Sequence, residues 1–270
     1  MNEDNEVVTR PYIRVMQPLL SVRDLSLTYP NGYSALKGVS FDVQEGEFLV
    51  VIGLSGSGKS TLMRTLNRLL EPTGGSIRYA GQDVTHIEGE PLRKHRSRIG
   101  MIFQHFNLIR RHSVLRNVVY GALGAMSSVQ SITGRFTAEQ QQVALRNLDI
   151  VGIADKANQR ADALSGGQQQ RVAIARALMQ QPSMLLADEP VASLDPATSH
   201  SVMQYLEKIN KEQGVTVICN LHFLSLVRRY ATRVIALKGG ELIFEGTPDA
   251  ITDEWFRTIY GEEAVEVEIR

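Results

Sequence analysis

"GLSGSGKST", residues 53–61, is the stretch that decides the fold. It has the pattern Gly-x-x-x-x-Gly-Lys-Ser/Thr, whose glycines let the backbone wrap a polyphosphate so closely that several N–H groups point at it. The stretch follows "EFLVVIG", which is typical of a strand covered on both faces, and precedes the helical pattern "TLMRTLNRLL". A glycine-rich turn before a helix is the alternative, but this context favours a phosphate loop.

The residue types in this loop have separate predicted roles. The Lys59 ammonium would reach the β- and γ-phosphates of a nucleoside triphosphate, and the Ser60 hydroxyl would ligate Mg²⁺. The N-terminus of the following helix adds partial positive charge at the same place. The predicted phosphate-loop contacts are Gly53, Ser55, Gly56, Ser57, Gly58, Lys59, Ser60 and Thr61.

A second apolar run, "MLLADEP", residues 184–190, ends in two acidic residues. Ligands bind at the carboxyl ends of strands in α/β sheets, so we expect Asp188 to hold the Mg²⁺ shell. The adjacent Glu189 would polarise an attacking water as general base. Two acids before a proline also suit a helix start, but a phosphate loop in the same chain favours the catalytic interpretation.

Three further residues are candidates for the same nucleotide site, and each assignment is supported only when the three are considered together. Gln104 ends the apolar pattern "RIGMIF", where it would sense Mg²⁺ or the attacking water; the alternative is a surface residue. His222 follows "TVICN" and would reach a γ-phosphate, whereas the alternative is a structural cap. Tyr29 would stack on a base, and its alternative is a place in the core.

Composition excludes several classes of protein. The chain has 270 residues, 43% of them hydrophobic and 21% charged, which is enough to bury a sizeable core. Its formal net charge is zero, which argues against a broad nucleic-acid footprint and against attachment to a membrane by charge alone. The single cysteine, Cys219, excludes an intrachain disulfide. The start has early acids and the apolar runs are short, so we expect a soluble cytoplasmic chain without a secretory signal.

The order of the patterns predicts an α/β fold with a helical insert. Alternating and apolar runs between Pro18 and Gly53 predict a β-rich beginning, and residues 113–181 contain only helical patterns. The order β-α-β returns after residue 183, and "RVIALKGGELIFEG" predicts a hairpin. The last residues, "GEEAVEVEIR", are acidic.

"LSGGQQQRVAIARAL", residues 164–178, has the features of a second anion site at a helix start. With this stretch and the later "SLD", residues 193–195, the chain resembles the nucleotide-binding subunit of ATP-binding cassette (ABC) transporters. The resemblance covers residues 19–247, with every motif in family order. Leu54, where proline is common, and Phe223, where a polar residue is usual, depart from the pattern without removing a catalytic group.

The resemblance implies a P-loop NTPase (RecA-like) core formed by residues 19–104 and 182–247. An N-terminal antiparallel β subdomain and an inserted α-helical subdomain, residues 105–181, would complete the domain. Residues 1–18 would be an N-terminal tail and residues 248–270 an acidic C-terminal tail.

The resemblance also implies ATP and Mg²⁺ as ligands, with adenine stacked on Tyr29. Two copies would form a head-to-tail homodimer in which the signature of one subunit covers the ATP of the other. Asp195 in "SLD" would couple the two sites, and Gln104 would pass closure to transmembrane permease subunits at the cytoplasmic face of the inner membrane. A periplasmic or lipid-anchored substrate-binding protein would complete the importer. The predicted signature contacts are Ser165, Gly166, Gly167 and Gln168.

The helical insert is the informative region for the transported substrate. "GALG" at residues 121–124, "ADKANQRAD" at residues 154–162 and "ADEPVASLDP" at residues 187–196 are similar to the ATPases of phosphonate importers, some of which take up phosphite. ATPases for polar amino acids share the signature but usually have a shorter link near residues 124–136, and they remain the alternative.

The sequence lacks the features expected of ABC proteins with other functions. ABC ATPases that act on nucleic acid typically carry coiled coils or zinc-binding insertions, and this chain has neither heptads nor cysteine pairs. The basic "RKHRSR", residues 93–98, suits a solvated helix face. A translation-factor ATPase would need two cassettes, and a nonhydrolytic ATP-binding regulator would not need both Glu189 and His222.

Overall fold

A computed structural model describes residues 17–126 and 135–261. The strands are β1 Leu20–Thr28, β2 Ser34–Val43, β3 Phe48–Ile52, β4 Gly74–Tyr79, β5 Gln82–Asp83, β6 Ile99–Ile102, β7 Met184–Ala187, β8 Thr216–Asn220, β9 Arg233–Lys238 and β10 Glu241–Gly246. The helices are α1 Lys59–Leu66, α2 Gly89–Ser97, α3 Val114–Val119, α4 Ala138–Ile150, α5 Gly166–Leu178, α6 Pro196–Gln213, α7 Leu224–Tyr230 and α8 Asp253–Tyr260.

A six-stranded sheet with the order β10-β9-β3-β8-β7-β6 forms the centre. Its strands are parallel except for β10, which forms the predicted hairpin with β9. All five residues of β3 are buried, because the strand is covered on both faces. Phe48, Val50 and Ile52 belong to one hydrophobic cluster, whereas Leu49 and Val51 belong to the other. The alternation of a strand therefore divides the core into two layers.

A four-stranded antiparallel sheet with the order β2-β1-β4-β5 lies on one side of that centre. Apolar residues of β1 and β2 pack in one cluster with α1, Leu49 and Val51. The predicted N-terminal β subdomain is thus present, and α1 lies between it and the central sheet. This packing holds the N-terminus of α1 at the end of β3, where the phosphate loop connects them.

The helices α3, α4 and α5 pack on one another on the other side of the centre. Thr137 and Ser165 start α4 and α5 with capping boxes, each closed by a glutamine three residues later. The helical insert is therefore present, although its boundaries at residues 105 and 181 stay predictions. Most of the predicted long link, residues 127–134, lies outside the described residues.

Part of the predicted acidic tail, residues 248–270, contains secondary structure that packs on the central sheet. A 3₁₀ turn at Pro248–Ala250 leads into α8, where Trp255 packs edge to face on Phe244 at 5.0 Å between ring centroids. Ile259 is fully buried. Apolar residues at helical spacing explain why α8 forms in this part of the chain, since the acidic residues are concentrated later. Residues 262–270 lie outside the described part of the chain.

No helix among the described residues is long and apolar enough to cross a membrane.

Candidate nucleotide site

The phosphate loop lies at the mouth of a cleft of about 440 Å³. Lys59 is the first residue of α1, so the loop delivers its backbone N–H groups and the helix N-terminus to one place. The residues that line the cleft are Tyr29, Tyr33, Ala35, Ser55, Gly56, Gly58, Lys59, Ser60, Thr61, Gln104 and Glu189. Most of the predicted phosphate-loop contacts therefore face one space, together with Tyr29, Gln104 and Glu189.

The ammonium group of Lys59 is held inside the loop. Its Nζ donates to the carbonyl oxygens of Gly53 at 2.7 Å and Leu54 at 2.9 Å. Burial lowers the pKa of Lys59, and the nearby carboxylates of Glu189 and Asp188 oppose that shift. Leucine in place of proline at residue 54 leaves this contact intact, because the contact uses the backbone carbonyl and the residue is 46% exposed.

Asp188 lies at the end of β7, where it meets the start of α1. Its Oδ1 accepts from Ser60 Oγ at 2.7 Å and from Asn220 Nδ2 at 2.8 Å. The carboxylate is buried, and its Oδ2 is 4.0 Å from the Arg64 guanidinium. A hydroxyl and a carboxylate held together are the hard oxygen donors that Mg²⁺ prefers, so the residues fit that ion.

Glu189 and His222 meet across the same sheet edge. His222 Nε2 donates to Glu189 Oε1 at 2.6 Å. Glu189 has a φ of +52°, a conformation that non-glycine residues adopt rarely and that often marks functional sites. The carboxylate is therefore oriented both by its backbone and by the imidazole, and it borders the cleft. The neighbouring Phe223 leaves this contact intact.

The predicted signature residues lie elsewhere. Ser165 caps α5, and its hydroxyl accepts from Gln168 N at 3.4 Å. None of residues 165–168 is among the residues that border this cleft in the described chain. Asp195 likewise caps α6 by accepting from Thr198 N at 3.0 Å. The fold thus gathers the phosphate loop, Tyr29, Gln104, Asp188, Glu189 and His222, and leaves the signature and Asp195 apart from them.

Sequence reasoning missed three residues at this site. Asn220 holds the Asp188 carboxylate, Tyr33 borders the cleft, and Arg64 faces Asp188. The signal for Asn220 was a polar residue ending the apolar strand pattern "TVICN". Tyr33 lies in the turn sequence "PNGYS", where no periodicity indicates its direction.

Comparison with known sequences decides the family. Residues 36–192, more than half of the chain, match the ABC transporter family. The chain belongs to the ABC transporter family. It has the α/β P-loop fold expected from the sequence, and it is an ATP-binding cassette that hydrolyses ATP.

Among similar ABC proteins, the "Phosphonates import ATP-binding protein PhnC" of Bdellovibrio bacteriovorus is 63% identical over 254 residues. That alignment covers 94% of this chain and 97% of the relative. The "Phosphonates import ATP-binding protein PhnC 3" of Halalkalibacterium halodurans is 50% identical, with 90% of this chain and 94% of the relative covered.

Two solved ABC structures share the fold. A dimeric post-hydrolysis state of the cassette MJ0796, bound to ADP and Pi, has a TM-score of 0.75 at 36% identity and covers 85% of this chain and 98% of that one. CbiO1 from Clostridium perfringens, part of the cbiONQ transporter complex, has a TM-score of 0.77 at 30% identity and covers 90% and 94%.

Proposed function

We propose that this cassette uses ATP hydrolysis to energise the import of phosphonates. The observation that carries the catalytic part is the hydrogen bond from Ser60 to Asp188, which joins the phosphate loop to the carboxylate at the end of β7. The cargo follows from the relatives, since those with 63% and 50% identity are named as phosphonate import ATP-binding proteins.

The phosphate loop would hold the triphosphate of ATP. Its backbone N–H groups and the N-terminus of α1 face the cleft, and Lys59 would exchange its bonds to loop carbonyls for β- and γ-phosphate oxygens. Ser60, Asp188 and Gln104 would hold Mg²⁺, which supplies neutralising charge to the phosphate oxygens when bound.

Glu189 is the proposed general base. It would accept the proton of a water that attacks the γ-phosphorus, and ADP would leave as the bond to the β-phosphate oxygen breaks. His222 already donates to Glu189 Oε1, so it orients the carboxylate and would also reach the γ-phosphate. Gln104, at the edge of the cleft, would sense the attacking water.

A head-to-tail homodimer would complete the site. The chain presents Ser165, Gly166, Gly167 and Gln168 at a helix N-terminus away from its own cleft, and such a terminus suits an anion supplied by a second copy. A solved relative, the cassette MJ0796, is dimeric in its state with ADP and Pi. ATP bound between two copies would favour closure, and its hydrolysis would release them.

The importer would contain partners that span the membrane. We propose that the cassette lies at the cytoplasmic face of the inner membrane on transmembrane permease subunits, as suits a chain similar to import ATP-binding proteins. A periplasmic or lipid-anchored substrate-binding protein would deliver the cargo. Gln104 and the helical insert would pass closure to the permease.

The basic stretch at residues 93–98 makes several contacts within the chain. Arg93 forms a bidentate pair with Glu90, with both N–O distances 2.8 Å, and Arg96 donates to the backbone oxygens of Asn67 and Arg68. His95 is buried. Arg93, His95 and Arg96 are therefore engaged within the folded chain.

Reconstitution with the permease and binding protein tests the cargo. We expect phosphonates, and phosphite in the case of a broader importer, to stimulate ATP hydrolysis by the complex, whereas phosphate and amino acids would not. Stimulation by a polar amino acid alone would overturn the phosphonate assignment and favour the amino acid alternative.

A further inference from the structure

The turn between β1 and β2 places two tyrosines side by side. Tyr29 N donates to the Tyr33 carbonyl oxygen at 2.9 Å, and Gly32 N donates to the Tyr29 carbonyl oxygen at 2.9 Å. The Asn31 side chain accepts from Tyr33 N at 3.1 Å. Gly32 has a φ of +83°, which glycine adopts without strain. The backbone of the turn therefore fixes both residues before any ligand binds.

The hydroxyl groups of both tyrosines also form hydrogen bonds to the phosphate loop or to the helix that follows it. The Tyr29 hydroxyl lies 3.1 Å from Thr61 Oγ1, and the Tyr33 hydroxyl donates to the Gly56 carbonyl oxygen at 3.2 Å. Both tyrosines border the cleft. A nucleotide with its phosphates in the loop would therefore extend its base toward this pair.

The two tyrosine rings are nearly parallel. Their planes differ by 13° and their centroids are 6.4 Å apart. Carbon atoms in contact are about 3.5 Å apart, so a flat ring between two others needs a separation of about 7 Å. The gap between the two ring planes is at most the 6.4 Å between their centroids, so the half-exposed Tyr33 ring would have to move outward by about an ångström to admit a base. Tyr33 is 53% exposed, so a base would cover surface that is otherwise open to water.

We propose that Tyr33 provides a second stacking face, so that the base lies between Tyr29 and Tyr33. The inference rests on the proposed function only in requiring a nucleoside triphosphate as ligand. Stacking tolerates any base, but a two-ring purine covers two tyrosine faces more completely than a one-ring pyrimidine. Tyr33 thus determines preference for purine nucleotides in addition to strengthening their binding.

Equilibrium binding to the full chain tests this role, with ATP, GTP, CTP and inorganic tripolyphosphate, each with Mg²⁺. We expect Tyr33→Ala and Tyr33→Leu to weaken ATP and GTP at least about fivefold, to narrow their advantage over CTP, and to leave tripolyphosphate binding unchanged. Tyr33→Phe keeps the ring and loses only the bond to Gly56, so it should retain the purine preference.

The outcomes separate the possible failures. Wild-type affinity for ATP in both Tyr33→Ala and Tyr33→Leu would overturn the second face and leave Tyr29 as the stacking residue. Equal weakening of ATP and tripolyphosphate would also overturn it, because Tyr33 would then support the loop and not the base. A wild-type chain that binds tripolyphosphate but not ATP would contradict the proposed function itself, and the inference with it.

Discussion

Asn220 donates from Nδ2 to the same Asp188 oxygen that accepts from Ser60. Asn220 is fully buried, and its Oδ1 has no hydrogen-bond partner among the described residues. Within the described chain, the Asn220 side chain makes only this hydrogen bond. We infer that it fixes the Asp188 carboxylate when Ser60 turns toward Mg²⁺.

Replacing Asn220 should therefore weaken metal binding. Asn220→Leu has a similar shape but removes a bond to a charged group, worth about 1.5–3 kcal/mol, so we expect Mg²⁺ half-saturation to rise by about tenfold or more. Mn²⁺ binding followed by electron paramagnetic resonance, with a nonhydrolysable ATP analogue present, measures the effect apart from turnover. Unchanged Mn²⁺ affinity would show that Asp188 needs no support from Asn220.

Ser165 should matter for turnover without mattering for binding at the phosphate loop. Ser165→Arg places a long charged side chain where the other subunit's ATP would lie, so we expect normal ATP affinity and lost hydrolysis. Ser165→Ala is the control for the bulk and charge of arginine, because it removes the hydroxyl and the helix cap, the cap at a cost of about 1 kcal/mol in folding free energy, and adds nothing to the site. Equal hydrolysis in Ser165→Arg and wild type would contradict the head-to-tail dimer.

Gly167 should be required by packing between α5 and α6. A Cβ at this position would lie 2.1 Å from Thr198 Cγ2. We expect Gly167→Ala to lower the free energy of unfolding by about 1–3 kcal/mol, measured by denaturant titration. Thr198→Ser removes the obstructing methyl group, so the double variant should recover most of that loss; simple additivity of the two changes would refute the explanation.

Stability should fall on mild acidification because of His95. Burial lowers the pKa of His95, the neighbouring guanidiniums of Arg68, Arg96 and Arg98 lower it further, and the bond to the Leu66 carbonyl opposes them. The unfolded chain therefore binds a proton near pH 6.5, the ordinary value, while the folded chain resists it until a lower pH. The unfolding free energy should decrease as the pH falls through that window, by at most about 1.4 kcal/mol per pH unit for one group.

A variant isolates the contribution of His95. His95→Phe keeps a ring against Tyr79, whose centroid is 5.4 Å from the imidazole. Below pH 6.5, the unfolding free energy of His95→Phe should change less with pH than that of the wild type. The unfolding free energy of both proteins is measured by denaturant titration at a series of pH values. An equal change with pH in the two proteins would assign the pH dependence to other groups.

Local patterns were sufficient to predict much of the site. The phosphate loop, Asp188 and Glu189 stand at the ends of apolar strands, and parallel strands bring their carboxyl ends to one edge. The stretch "LSGGQQQ" likewise predicted a helix start, and Ser165 caps α5. These features depend on residues close in the sequence, which is why the sequence contains them.

The missed features depend on distant contacts. Asn220 can reach Asp188 only because β8 lies beside β7. Tyr33 joins the cleft only because a turn brings its ring parallel to that of Tyr29. Trp255 packs on Phe244 of β10, which overrides the acidic composition that indicated a tail. Composition and periodicity contain no information about such partners.

The central claim is that this cleft hydrolyses ATP with Glu189 as general base. The most direct measurement compares ATP hydrolysis by wild type and Glu189→Gln, with ATP affinity and dimer formation measured on the same samples. The amide keeps the shape but cannot accept the proton of water, so we predict normal binding, a stable ATP-bound dimer and hydrolysis about 10²–10⁴-fold slower. An undiminished rate in Glu189→Gln would contradict the account.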